Sequence, residues 1–441
     1  MGRKLCVLFL LSIHGIGHAE PIGLLTAYEK ALQYDAQYRA AQAGNRAQNE
    51  EVGMAMAGLL PKVGMTLTNG RNSTDRTPVL TKNGGHSTYE TKNYSLNIRQ
   101  PIFNMANLAI YRQAKAVSAQ SDAMLTKERF ELLPRVAGSY LNILYAIDNI
   151  EHSRTFKGAT LKQLAGAEMK FKMGQGTITE ISEARAEYEK ALSEELTWAN
   201  ALELNRYTLE AMIGEYPKDV MGLDPQKIIK EPLALSSLDE WIQIAIQNNP
   251  EIVAARQSIL AAEQELEKMQ AGHYPTVDLV ASRTKSESDT NYSIGNGYDT
   301  TSLSLQLNIP IYSGGYVNAS VRQAVAKLQE GNERLDLQIR SVTTDVRKYF
   351  NLIMNGKAQQ NAYEQAEKSD QVALLGTQKA YEYGTRTNVD VLNAQEKLFK
   401  SRVDLSQSRY TYVNDLISFY NVVGMANQDQ IVRLNAWFIV H

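Results

Sequence analysis

The segment YEYGTRTNVDVLNA, residues 381–394, brings a tyrosine, an arginine and an aspartate together where one helix stops and another begins. Arg386 and Asp390 lie four residues apart, so their charges can pair within one hairpin or between neighbouring hairpins. Repeated around a symmetric ring, Asp390 forms a ring of carboxylates, and rings of this kind select cations in pores. The pattern therefore predicts electrostatic latching and ion selection at a hairpin tip.

The same outline occurs 210 positions earlier as FKMGQGTITEISEA, residues 171–184. In each copy a glycine suits a helix C-cap, and a threonine suits the N-cap of the next helix. These turn residues are Gly174, Thr177, Gly384 and Thr387. Thr177 with Glu180 matches the capping-box pattern, and Thr387 with Asp390 is close to it. Each copy predicts a helical hairpin, and a role for Thr177 and Glu180 beyond capping stays open.

The two hairpins belong to two near-equal halves of the chain. ALQYDAQYRAAQ pairs with AIQNNPEIVAAR, and SLNIRQPIF pairs with SLQLNIPIY, at offsets of 214 and 209 positions. We assign residues 20–232 to the first repeat and 233–441 to the second, because three prolines interrupt the joint at residues 215–237. Each half reads helix, strand, loop, strand, helix, turn, helix.

The predicted helices are long. From about residue 104 to residue 173 the only strong breaker is Pro134, which we expect to kink or bulge the helix. In the last helix, apolar residues recur every seven positions. They are Val391, Leu398, Leu405, Tyr412 and Phe419. A seven-residue repeat predicts a left-handed supercoil, so the fold class is mostly α with coiled-coil packing.

Four strands are predicted near residues 62–71, 92–103, 276–286 and 300–312. TSLSLQLNIPIY alternates apolar and polar residues, which is the pattern of transmembrane barrel strands, although a strand half-buried in a soluble sheet gives it too. No amphipathic helix is left over to cover such a sheet. Because barrels begin at about eight strands, four cannot close, and a dimer of eight or a trimer of twelve is required.

Residues 1–19 read as a signal peptide, with a basic start, an apolar stretch and a small-residue cleavage site. Cys6, the only cysteine, lies inside this leader, so the mature chain has no disulfide or cysteine-ligated metal. The formal net charge is −2 without a basic cluster, which argues against a nucleic-acid partner. We expect an exported protein without cofactor or metal.

An enzyme is not favoured by any motif. His86, His152, His273 and His441 are scattered without metal-ligand spacing, and the chain has no GxSxG motif, phosphate-binding loop or cysteine nucleophile. A periplasmic or secreted coiled-coil interaction protein explains the heptads and the signal peptide. It leaves the two pairs of alternating strands without a role.

Taken together, the signal peptide, the duplicated halves, GTRTNVDVLNA and IPIYSGG resemble the TolC family of outer-membrane export ducts over essentially the whole mature chain. The resemblance implies a homotrimer with a membrane β-barrel of twelve strands and a periplasmic coiled-coil tunnel of twelve helices. It places the protein in the outer membrane lipid of a Gram-negative bacterium. It also implies docking to a periplasmic membrane-fusion (adaptor) protein and an inner-membrane transporter.

In that family a network between helical hairpins closes the tunnel. Carried over by motif, Tyr381 and Arg386 are the constraining residues of the second hairpin, and Thr179 and Glu180 are their partners on the first. Asp390 falls on the aspartate that rings the entrance. The family's best-known member has a second aspartate three residues later, where this chain has Asn393. One acidic ring instead of two predicts weaker cation blockade.

The branch of the family is a separate expectation. The chain ends soon after its last helix and lacks a lipidation cysteine, which favours the type I secretion branch, with an ABC exporter and a secreted protein cargo. A multidrug or metal efflux pump is the alternative within the same fold.

Overall fold

The computed structural model describes residues 21–77, 84–230, 237–426 and 428–439. The predicted signal peptide and the repeat boundary at residues 232 and 233 lie outside these ranges. None of the helices within them combines the length and hydrophobicity needed to cross a membrane. The helices of the described residues are α1 Leu24–Tyr34, α2 Ala36–Ala57, α3 Met105–Lys172, α4 Ile178–Ile213, α5 Pro225–Lys230, α6 Leu238–Asn248, α7 Pro250–Gln270, α8 Tyr316–Glu382, α9 Asn388–Val423 and α10 Gln428–Asn435.

The duplicated order is present, with one difference. The helix that precedes the strands in each half is divided in two, at Asp35 in the first half and at Asn249 in the second. Asp35 accepts a hydrogen bond from the backbone N–H of Tyr38, and Asn249 caps α7 with Pro250 as its first residue. Side chains that bond the backbone locally stop one helix and begin the next.

The strands are β1 Lys62–Arg76, β2 Gly85–Phe103, β3 Gly222–Leu223, β4 Thr276–Glu287, β5 Gly297–Asn308 and β6 Phe438–Ile439. Strand β2 begins seven residues before the predicted start, and β1 runs five residues beyond its predicted end. Polar residues pair there as well, because backbone hydrogen bonds alone sustain an antiparallel ladder. The predicted extension of the last long strand to Tyr312 is wrong, since β5 ends at Asn308, two residues before Pro310, which has no N–H to donate.

The chain divides into two compact units. One comprises Ala40–Lys127 and Ile246–Val342, and it contains a four-stranded antiparallel sheet in the order β1-β2-β4-β5. Cross-strand pairing aligns an apolar row on one face, Val63–Ile98–Ala281–Leu303. It aligns a polar row on the other, Thr66–Ser95–Thr284–Thr300. The alternation predicted from the sequence is therefore realised in the register of the sheet.

The apolar face of this sheet is open. Val63 is 66% exposed, Leu303 72% and Leu305 67%. Large apolar side chains gathered on one exposed face mark a surface that meets lipid or another protein. Strands β1 and β5 form the two edges, and no other strand of the described residues pairs with them.

The other unit comprises Met1–Arg39, Glu128–Ala245 and Thr343–His441, as far as these ranges are described. Its core surrounds the middle of α3, which continues through Pro134 without ending. Tyr140 is fully buried, and its hydroxyl donates to the carbonyls of Ile22 and Met221, both at 2.8 Å. Its ring meets that of Phe438 edge-on at 5.4 Å. Tyr140 thus fixes α3 against β6 and the segment before β3.

Within this unit α9 packs by its heptad positions. All five apolar residues of the predicted seven-residue repeat are buried, from Val391 to Phe419. Phe399, beside that stripe, is half-buried and stacks on Phe156 of α3 with the ring centroids 5.0 Å apart. The heptad interpretation of the last helix is confirmed. Its buried face also carries polar residues, Asn388, Gln395 and Ser406, which the pattern did not predict.

Candidate functional site

Two turns connect the long helices, α3 to α4 and α8 to α9, and both have the same backbone geometry. Gly174 has φ 74° and Gly384 has φ 76°, a left-handed conformation that glycine adopts without strain. In the first turn the N–H of Gln175 donates to the carbonyl of Lys170 at 2.9 Å, and in the second Thr385 donates to Ala380 at 2.9 Å. These bonds satisfy carbonyls that the helix ends leave free.

Both following helices begin with a capping box. In the first, the hydroxyl of Thr177 accepts from the N–H of Glu180 at 3.2 Å, and the carboxylate of Glu180 accepts from the N–H of Thr177 at 3.4 Å. In the second, the carboxylate of Asp390 accepts from the N–H of Thr387 at 2.8 Å and from its hydroxyl at 2.9 Å. The second box is the tighter one because the shorter acid lies closer to the backbone.

These bonds act on the charge of Asp390. Its pKa is lowered from the ordinary value of 3.8, first by the backbone N–H of Thr387, then by the Thr387 hydroxyl, with a smaller contribution from the charge of Arg386. Hydrogen bonds that stabilise a carboxylate favour the ionised form. Asp390 therefore carries a negative charge over the whole neutral range.

Arg386 is largely free of the turn. Its Nη1 lies 3.7 Å from Oδ1 of Asp390, and its side chain is 61% exposed. Among the described residues, no hydrogen bond or ion pair joins Arg386 or Tyr381 to Thr179 or Glu180. The four residues predicted to form one network are thus not bonded to one another within a single chain. Thr179 is exposed, and Glu180 is engaged in its own cap.

Tyr381 has a partner that the sequence did not indicate. Nζ of Lys170, in the last turn of α3, lies 3.9 Å from the centroid of the Tyr381 ring on α8. This cation–π contact joins the first hairpin to the second. Lys170 has alanine, Ala380, at the corresponding position of the second repeat, so comparison of the two halves gave no signal for it.

Further along the helices, the hairpins pack through a small apolar cluster. Its members are Leu164, Ala167, Ala184 and Leu392, with Ile181 and Tyr188 packed against them. Lys190 of α4 forms an ion pair with Glu396 of α9, and hydrogen bonding to Glu396 raises the pKa of Lys190. Asn393 points to solvent, whereas Asn388 is only 1% exposed. Neither amide atom of the Asn388 side chain has a hydrogen-bond partner in the described structure.

Another polar contact crosses between α3 and α9. Oδ2 of Asp148 accepts hydrogen bonds from the hydroxyls of Ser406 at 2.9 Å and Tyr410 at 2.8 Å. Burial raises the pKa of Tyr410, and the nearby charge of Asp148 raises it further, so the phenol stays protonated and continues to donate. The sequence gave no signal for this pair, because its members are 262 positions apart.

Across the described ranges, no group of three or more histidine, cysteine, aspartate or glutamate side chains is placed to hold a metal ion. The features with functional chemistry are therefore the charged hairpin turns and the exposed apolar face of the sheet. The former can hold helices together and select ions. The latter can meet lipid.

Comparison with known proteins gives a consistent result. A family model described as "Outer membrane efflux protein" matches residues 27–215 and 241–425. Proteases secretion protein PrtF of Dickeya chrysanthemi is 31% identical over 449 residues, covering 99% of this chain and 96% of that protein. Alkaline protease secretion protein AprF of Pseudomonas aeruginosa is 29% identical, covering 95% and 88%. Outer membrane protein TolC of Escherichia coli is 30% identical, covering 99% and 89%.

Solved structures share the fold. A structure of CusC aligns with a TM-score of 0.79 at 19% identity, covering 91% of this chain and 92% of that one. The structure of the outer membrane protein VceC from Vibrio cholerae aligns with a TM-score of 0.76 at 20% identity, covering 91% and 96%.

Proposed function

Because the chain belongs to the outer membrane efflux protein family, we propose that it forms the outer-membrane duct of a type I, ABC transporter-dependent, protein secretion system. The protein resides in the outer membrane of a Gram-negative bacterium and extends into the periplasm. The duct is passive, since it supplies a path and catalyses no reaction. Its hairpin turns close the periplasmic entrance at rest.

The exposed apolar face of the sheet carries this proposal. Val63, Ile98 and Leu303 align across strands, and the opposite face is polar. Lipid outside and water inside account for both faces of the same strands. Two unpaired edges, at β1 and β5, are not tolerated in hydrocarbon. Three copies joined edge to edge close a barrel of twelve strands, and their long helices form the tunnel.

The proposed partners follow from the relatives. PrtF and AprF are named for protease secretion, and both match nearly the whole chain. We therefore expect an inner-membrane ABC exporter, a periplasmic adaptor and a secreted protein cargo. An efflux pump is the second candidate, favoured by the family description and by 23% identity to a toluene efflux pump outer membrane protein of Pseudomonas putida.

The turns supply the gate. Arg386 is exposed and held to Asp390 only by a long contact, so it is free to pair with Glu180 or Thr179 of a neighbouring copy. Asp390, repeated three times, forms the acidic ring at the entrance. Asn393, exposed on the next turn of α9, places a neutral amide where a second ring of charge would stand.

One experiment separates the two candidate roles. The gene is deleted in its own host, and the wild-type chain is restored from a plasmid. Loss of extracellular protease with unchanged susceptibility to dyes and solvents, reversed by the plasmid, supports secretion. Hypersensitivity with normal secretion supports efflux instead. If neither changes and the protein purified in detergent is not a trimer by native mass spectrometry, the duct proposal is wrong.

A further inference from the structure

Lys170 is the structural link between the two hairpin turns of one chain. Its Nζ lies 3.9 Å from the ring centroid of Tyr381, well inside the range of about 6 Å in which an ammonium group is attracted to an aromatic face. Both residues are half-buried, so the contact is partly shielded from water. We propose that Lys170 is a further latch residue of the closed entrance and that its ammonium holds the second hairpin through the face of Tyr381. The proposal rests on the duct function above.

The backbone of the first turn fixes the position of Lys170. Its carbonyl accepts the N–H of Gln175, which closes the end of α3. A cation in the last helical turn is also favoured by the helix dipole. The ammonium is therefore presented by a defined backbone, and only the four-carbon side chain must be ordered when it reaches Tyr381.

Gly176 shows how closely the turn approaches Lys170. A Cβ placed on Gly176 would lie 3.2 Å from Oε2 of Glu180 and 3.3 Å from Cβ of Lys170. Both distances are shorter than ordinary van der Waals contacts. The missing side chain thus allows Lys170 and the capping carboxylate of Glu180 to border the same small space. The latch lysine and the cap of the first hairpin form one local arrangement.

On the other side of the contact, the ring of Tyr381 carries the interaction. Its hydroxyl forms no hydrogen bond within the described part of the chain, whereas the face of the ring receives Lys170. Phenylalanine presents the same face, and leucine does not. Replacing Tyr381 by each in turn therefore distinguishes a latch made by the ring from one made by the hydroxyl.

The test compares single-channel records of the full-length protein in planar bilayers. Lys170→Met keeps the length of the side chain and removes its charge. Lys172→Met is the matched control, because it removes a charge from the same exposed helix end and has no aromatic contact in the described structure. We expect Lys170→Met and Tyr381→Leu to raise the ratio of open to closed time about two- to fivefold, the range of a partly exposed cation–π contact. Lys170→Arg and Tyr381→Phe should stay close to wild type.

The double variant Lys170→Met, Tyr381→Leu should open no more than either single variant, because both remove the same contact. Equal records for Lys170→Met and Lys172→Met, or full additivity in the double variant, would overturn the proposal.

A second measurement keeps the proposal separate from the duct function. Amide hydrogen exchange of residues 383–387 in the detergent-solubilised protein should be faster in Lys170→Met than in Lys172→Met. Faster exchange in a protein that forms no channel would support the lysine contact and contradict the duct. Equal exchange in the two variants would overturn the lysine contact even if the protein conducts.

Discussion

Nη1 of Arg386 lies 3.7 Å from Oδ1 of Asp390, one turn further along the same hairpin. The other carboxylate oxygen of Asp390 is occupied by the N–H and hydroxyl of Thr387. Asp390 therefore serves as a cap and as a source of exposed negative charge at once. Arg386, by contrast, is committed to neither, and this difference determines how substitutions at the two positions should behave.

Asp390→Asn should weaken the preference of the channel for cations without opening it. The amide oxygen can still accept the N–H of Thr387, so the hairpin remains capped while the ring loses its charge. The reversal potential in a salt gradient should move toward zero at unchanged conductance. Asn393→Gln is the matched control, since it alters a neutral residue of the same helix. An unchanged reversal potential in Asp390→Asn would show that the acidic ring lies elsewhere.

The charge of Asp390 should persist into mild acid. Its pKa in the folded chain is lowered below 3.8 by the bonds from Thr387, so the stabilising contribution is present above that value and is lost as the pH falls through the lower folded value. Cation preference should thus be constant between neutral pH and about pH 4, and should fall below it. Loss of cation preference already at pH 5 in the wild type would contradict this assignment.

Glu180 can be tested for a role beyond its cap. Glutamine preserves the capping box but removes the charge, whereas alanine removes both. If Glu180 pairs with Arg386 of a neighbouring copy, Glu180→Gln should raise the conductance while leaving the thermal stability close to wild type. Glu180→Ala should also lower the stability, by about 1 kcal/mol, as the loss of a cap does. Equal conductance in wild type and Glu180→Gln would limit the residue to capping.

Asn388→Leu should stabilise the hairpin. Both amide atoms of Asn388 are buried without partners even in the single chain, and no neighbouring copy can reach them. An unsatisfied buried polar group costs about 1–3 kcal/mol, and an apolar side chain of similar size avoids that cost. The apparent melting temperature should rise, while Asn393→Leu, on the exposed side of the helix, should leave it unchanged. A lower melting temperature in Asn388→Leu would mean that the amide is hydrated.

Charge on the two faces of the sheet should have unequal consequences. Leu303→Arg places a charge on the apolar face, which we assign to lipid, and should cost about 2–4 kcal/mol if the residue lies near the bilayer midplane. Ser304→Arg places the same charge on the polar face and should insert normally. The yield of folded trimer in outer-membrane fractions measures the difference. Equal yields would place the apolar face away from lipid.

The local patterns of the sequence were sufficient for much of this architecture. Alternation over TSLSLQLNIPIY and the heptads after Val391 specify strand and helix because each depends on neighbours in sequence. The ends of elements were less accurate, as at Tyr312, because turn chemistry competes with alternation. Contacts such as Lys170 with Tyr381 and Asp148 with Tyr410 could not be predicted, since they join residues that only the tertiary packing brings together.

The central claim is that three copies of this chain form a duct held shut at its hairpin turns. Single-channel conductance in a planar bilayer tests it most directly, with the wild type compared to the double variant Tyr381→Leu, Arg386→Ser. We predict a small wild-type current that grows several-fold in the variant, because two contacts of partly exposed charges are removed. Absence of a channel from both proteins, with each shown to be inserted in the bilayer, would contradict the account.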